Sequence, residues 1–232
     1  REALQNYPSS QERLEWWRLL GMALRAQSRW DEAVAAYQQA IQEFPNQSDL
    51  HVDLGRAYFE RGDGIQAARQ EIALAIRLND QSGDAYYALA RLLTRAREFQ
   101  EADRYFAEAI QRAPQSRWYQ LARADAARAA GELERAIALY EMTAEKFPDF
   151  ANVYYQLALA YRTNNQRDEA IRAIERALEL FSPPSESYFV RDGEIYRWAG
   201  LKEQAVTAYR QALILNPNNQ TAIKGLQALG EN

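Results

Sequence analysis

Trp30–Asn46, WDEAVAAYQQAIQEFPN, comes back near the other end of the chain as Leu201–Asn218, LKEQAVTAYRQALILNPN. In the first copy Ala33, Tyr37, Ala40 and Pro45 follow one another at gaps of four, three and five. In the second copy Ala205, Tyr209, Ala212 and Pro217 keep the same gaps. Pro45 and Pro217 stand 172 residues apart, which is five periods of 34 with two single-residue insertions. Self-similarity at such a period marks a stack of small units, each burying its apolar face against the next. The 232 residues therefore read as one growing array, although length alone would allow two domains.

Around that stretch the first repeat spans 14–47. Its first helix carries Trp17, Leu20, Gly21 and Leu24 at i, i+3, i+4 and i+7, the stripe of a buried helical face. Asp31 and Glu32 open the second helix, where the positive end of the helix dipole favours acids. Pro45 closes the unit, because the residue before a proline resists the helical region. Equivalent patterns place repeats at 48–82, 83–116, 117–150, 151–184 and 186–219. The insertions fall around Gly62-Asp63-Gly64 and at Ser182-Pro183-Pro184. Small residues at Gly21, Gly55, Ala90, Ala158 and Gly193 mark close approach of paired helices, so the aromatics between them are expected to be core wedges.

The spacing Trp17-x-x-Leu20-Gly21-x-x-Leu24, then Ala33, Tyr37, Ala40 and Pro45, resembles the tetratricopeptide repeat. The resemblance implies an all-α fold, a right-handed α-solenoid of antiparallel helix pairs. Six such matches run in tandem. Residues 1–13 read as a remnant of a preceding repeat or linker, with Ala3, Leu4 and Pro8 where Ala40, Ile41 and Pro45 sit later. The start at Arg1, without Met, reads as a cut from a longer protein. Residues 220–232 read as a capping helix with Ala222, Ile223, Leu226 and Leu229 on its apolar stripe.

Two repeats break the pattern. Repeat four has Gln120 and Arg123 where large apolar residues belong. Its first helix is either shifted, with Trp118, Leu121 and Ala122 facing the core, or in register, with Trp118 and Leu121 in the groove. In repeat six Asp192 replaces the buried Leu. A buried carboxylate requires a partner, and Arg162 and Arg197 are the candidates.

Chemistry is sparse. His51 is the only histidine and falls at a core position, so a structural role is expected. There is no Gly-rich phosphate loop, nucleophile elbow or His/Cys cluster, and no cysteine at all. The reading is thus non-enzymatic, with no cofactor and no metal. A net charge of −4 and the absence of a long apolar run argue against nucleic acid and against direct membrane insertion of this segment. The compartment is open: cytoplasmic by default for a soluble segment, with periplasmic or membrane-tethered placement as the alternative.

The family resemblance implies a concave face lined by the first helices. Carried onto this chain, its positions hold Arg18, Arg25, Arg56, Phe59, Tyr87, Arg91, Arg95, Trp118, Arg128, Tyr155, Arg162, Arg197 and Trp198, with Leu121 if repeat four is in register. Arg and aromatics recur there although the protein is acidic. The expected function is a protein-interaction scaffold that takes an acidic segment of a protein or peptide partner, within a larger protein. The family's carboxylate clamp is not matched, since Arg18 and Met22 stand where Lys and Asn would be. The alternatives are a structural module that forms homo-oligomers through its terminal repeats, or the soluble tail of a membrane enzyme or export assembly.

Overall fold

A computed structural model describes residues 9–62, 64–181 and 185–231. Residues 1–8 of the remnant expected at 1–13, Asp63 of the first insertion and the insertion at Ser182-Pro183-Pro184 lie outside the described residues. Among the described residues the chain is all-α, with thirteen helices and no strand. The first helices of the repeats are α1 (Ser10–Ala26), α3 (Ser48–Arg61), α5 (Gly83–Arg95), α7 (Arg117–Ala129), α9 (Ala151–Thr163) and α11 (Glu186–Trp198). The second helices are α2 (Trp30–Glu43), α4 (Ile65–Leu78), α6 (Phe99–Arg112), α8 (Leu133–Lys146), α10 (Arg167–Leu180) and α12 (Lys202–Leu215). α13 (Gln220–Ala228) closes the chain. The helix α1 starts at Ser10, inside the stretch expected to be a remnant, because the Ser9 hydroxyl caps it by accepting the Glu12 amide.

The helices fall into two compact bodies, Arg1–Ala130 and Gly131–Asn232. In the first, α1 packs on α2, α3 on α4 and α5 on α6, and α7 lies against α6. In the second, α9 packs on both α8 and α10, α11 on α12, and α13 on α11 and α12. Several turns inside the pairs share one device. Ser28, Arg97 and Asn165 take positive φ, as do Gly131 and Gly200. The following amide then bonds back five residues, as from Glu98 to Leu93 and from Gln166 to Tyr161. That closes the orphan carbonyls at the helix end.

Packing within a pair depends on missing side chains. A Cβ at Gly21 would stand 2.3 Å from the Tyr37 ring, and one at Gly193 would stand 2.5 Å from the Tyr209 ring. Both tyrosines are fully buried. Tyr209 is held from the other side too, since a Cβ at Gly225 of α13 would lie 2.4 Å from it. The buried line of α13 is therefore Ala222, Gly225 and Leu226, while Ile223 and Leu229 are only half-buried.

The register of repeat four is resolved. α7 begins 34 residues after α5 and 34 before α9, so it is in register. Trp118 is 52% exposed, but Leu121 is buried at 7% and does not face the groove. Arg123 stands at the place of Leu54, Leu89 and Leu157. Its guanidinium donates to both oxygens of Asp103 on α6, at 2.7 and 3.1 Å. Asp103 in turn occupies the position that Val34, Ile137, Ile171 and Val206 hold in other second helices.

The Gly21 contact generates a measurable expectation. Gly→Ala inside a helix normally stabilises by about 1 kcal/mol. Gly21→Ala is expected to destabilise instead by about 1–3 kcal/mol, because the Tyr37 ring fills the space. Urea denaturation of the variant against the parent checks the sign.

Candidate functional site

In the N-terminal body the first helices α1, α3 and α5 lie side by side and present one residue set outward. Their charges are unequally committed. Arg18 pairs with Asp49 at 3.0 Å and with Asp53 at 3.2 Å. Arg25 grips Glu60 with two bonds, at 2.8 and 2.6 Å. Arg56 lies 3.7 Å from Asp53. Asp53 is buried, and burial raises its pKa despite the neighbouring Arg18 and Arg56. Arg25 is half-buried; burial works against its charge, but the Glu60 bonds prevail and its pKa is raised.

Arg91 and Arg95 are different. Both are exposed, and among the described residues neither pairs with a carboxylate. The Arg95 guanidinium sits 5.4 Å from the centre of the Phe59 ring, and that of Arg91 sits 5.8 Å from the Tyr87 ring. Tyr87 is itself stacked on Tyr119 with ring centres 4.5 Å apart. The Tyr119 hydroxyl donates to Asp84 at 2.6 Å, and burial followed by that bond raises its pKa. Between α3 and α5 these groups border a cleft of about 240 Å³, floored by Gly55, Ile72, Ala88 and Leu92 and rimmed by Arg25, Arg56, Phe59, Arg91 and Arg95. Glu60, already held by Arg25, is the carboxylate on its rim. Arg128 lies 4.0 Å from Asp125 on its own helix, and Trp118 is exposed.

The C-terminal body brings fewer of the expected residues together. Tyr155 is only 5% exposed, and its hydroxyl accepts from the Arg191 guanidinium, which also lies over its ring. Burial raises its pKa, with Arg191 acting against it. Burial raises the pKa of Tyr209, with Arg197 and, through its charge, Arg162 acting against it. Arg197 and Trp198 are exposed.

His51 serves structure. Its Nδ1 lies 2.8 Å from Glu71 and its Nε2 lies 3.1 Å from the Pro45 carbonyl, tying α3 to α4 and to the end of repeat one. Among the described residues no group of three or more His, Asp or Glu could hold a metal, and no helix is long and apolar enough to cross a membrane.

Asp192 departs from expectation. It is 1% exposed, and among the described residues neither carboxylate oxygen has a hydrogen-bond partner. Arg162 and Arg197 do not reach it. Burial alone pushes its carboxyl up to about 8. Sequence reasoning also missed the Arg123–Asp103 and Tyr119–Asp84 bonds. The first carried a signal, since two charged residues stand at two apolar positions of adjacent helices; the second carried none.

Two models of the tetratricopeptide repeat match the chain, one at residues 24–73 and 127–184, the other at 52–117 and 87–151. The Caenorhabditis elegans tetratricopeptide repeat-containing protein trd-1 is 25% identical over 214 residues, covering 88% of this chain and 26% of that protein. The human protein O-mannosyl-transferase TMTC1 is 27% identical over 180 residues, covering 74% of this chain and 20% of that protein. The chain thus spans 20–26% of the length of these relatives. A crystal structure of a tetratricopeptide repeat protein from Parabacteroides merdae superposes with a TM-score of 0.69 at 18% identity, covering 99% of this chain and 89% of that one, which shows the shared fold.

The unpaired carboxyl of Asp192 predicts a pH dependence. In the folded chain it keeps its proton up to about pH 8, whereas the unfolded chain releases it near the ordinary carboxylate value of about 4. This contribution is complete below about pH 4 and is lost as pH rises towards 8. Asp192→Asn is expected to stabilise by roughly 2–4 kcal/mol at about pH 7 and to flatten the profile. Urea titrations of parent and variant at about pH 5 and about pH 7.5 read both effects.

Proposed function

Because the chain belongs to the tetratricopeptide repeat family, whose members are in general non-enzymatic protein-interaction scaffolds, we propose that it binds an acidic segment of a partner protein on the first-helix face of its N-terminal body. The observation that carries this reading is the pair Arg91 and Arg95. Their neighbours Arg18 and Arg25 are already held by carboxylates, whereas these two are exposed and rest on aromatic rings. A guanidinium on an aromatic face keeps its hydrogen-bond fork free for a planar carboxylate. Successive Asp or Glu side chains of a partner would meet Arg91 and Arg95, one turn apart on α5, while an apolar residue between them enters the cleft over Ile72 and Leu92. Arg56 and Phe59 complete the contact from α3.

The proposal keeps Arg56, Phe59, Tyr87, Arg91 and Arg95 of the expected set as the contact centre. Arg18 and Arg25 become supports that hold α1 against α3. In the C-terminal body the exposed Arg197 and Trp198 offer a smaller surface of the same chemistry.

A labelled peptide of alternating Glu and Leu, with its Lys and Leu counterpart as control, tests the reading by fluorescence anisotropy. The parent is expected to bind the acidic peptide and not the basic one. Arg91→Glu/Arg95→Glu should weaken binding at least about 30-fold, roughly 2 kcal/mol, with an unchanged circular dichroism spectrum because both side chains are exposed. Equal binding by parent and variant would refute the assignment.

A further inference from the structure

On α11 Asp192 lines a second cleft, bounded by α10, α11 and α12 and about 340 Å³ in volume. Its walls are Phe189, Tyr196 and Ala208, with Glu203, Thr207 and Gln211 from the exposed side of α12. The N-terminal body has a cleft at the same place in the repeat, between α2, α3 and α4, lined there by Leu54 and His51. The cleft is thus a property of the repeat, and the carboxyl in it is particular to repeat six.

No structural need accounts for that carboxyl. Where repeat four carries a charge at this position, Arg123, the preceding second helix supplies Asp103 to meet it. The corresponding residue of α10 is Ile171, which has no charge to offer. Both oxygens of Asp192 remain without a hydrogen bond among the described residues, in a side chain 1% exposed. A group in that state is satisfied by a donor that enters the cleft. An anion is disfavoured, because no cationic side chain lines the cleft and Glu203 stands on its rim. Two aromatic walls suit an aliphatic stem and the underside of a cationic head.

We propose that this cleft is a binding site for a lysine or arginine side chain of a partner protein, whose cationic head pairs with Asp192 while its stem lies on Phe189 and Tyr196. The threonine hydroxyl of Thr207 and the amide of Gln211 accept the remaining donors of the head. The site is separate from the acidic-segment face of the N-terminal body and takes the opposite charge, so the two readings stand or fall separately.

The probe is N-acetyl-lysine methylamide, with the norleucine analogue as its uncharged counterpart, followed through the carboxyl carbon resonance of Asp192 in the full 232-residue chain. Saturation with the lysine probe is expected to move the titration midpoint of Asp192 down by about one to three pH units, as an opposite charge within reach does. Asp192→Asn should bind the probe at least about tenfold more weakly. Thr207→Trp, at an exposed position on the cleft mouth, should block the midpoint change while leaving the carboxyl in place. An Asp192 resonance unmoved by the lysine probe, or equal affinity for the norleucine analogue, would overturn the proposal.

Discussion

An aromatic ring lies closest to the backbone of a neighbouring helix where no Cβ stands between them, and this constraint organises the helix pairs of the first and sixth repeats. Tyr37 occupies the space that a side chain at Gly21 would need, and Tyr209 does the same at Gly193 and at Gly225. In the second repeat Ile72 plays the part of the ring against Gly55. In the third, Ala90 and Phe106 share one core cluster at the corresponding positions. Burying a large apolar side chain is worth about 1.5–3 kcal/mol, and dense packing makes each such contact sensitive to a single carbon. Because the rings fill the space between paired helices, the polar faces of the first helices are left to solvent, and the candidate site follows from that.

The charge on that face is determined by bonding between neighbours and not by composition. Arg18 meets Asp53 and Arg25 meets Glu60, each one repeat away along the chain. In partly buried pairs of this kind the attraction is offset by lost hydration, but the pairs decide which guanidinium groups remain available. Two adjacent rows of arginine therefore behave differently. One set is a structural tie between first helices, and Arg91 and Arg95 form a surface with open hydrogen-bonding capacity over aromatic rings. The net charge of −4 conceals this local inversion.

Period and spacing made the helices legible, since the gaps between Ala33, Tyr37, Ala40 and Pro45 encode one buried stripe and one stop. They also made the first-helix face legible as a list of positions. What they could not carry was the partner of each side chain. Tyr155 reads as a groove residue by position, yet Arg191 covers it. Leu121 reads as a groove residue if repeat four is in register, yet it is buried, while Arg123 takes the place of the core Leu and is met by Asp103. Such compensations join residues 20 or 36 positions apart, and of these only Arg123–Asp103 leaves a signal in the sequence, as two charges at apolar positions. Asp192 is the opposite case, in which the anomaly was plain in the sequence and the expected arginine partner is absent from its surroundings.

The match between a small residue on one helix and a large one on its partner also bears on how such an array can be inherited. Gly21 with Tyr37 and Gly55 with Ile72 are private fits, each different in shape. A duplication or exchange that moved a lone helix would set the wrong ring against the wrong backbone. One that moved a helix together with its mate would carry the fit along intact. The heritable module is accordingly the two-helix segment, and divergence is freest at the solvent-facing positions of the first helix, where a new specificity can arise without disturbing the fit beneath. Tyr209 marks the exception, because its ring answers to both Gly193 and Gly225. A change of the Tyr209 ring therefore has to suit α11 and α13 at once.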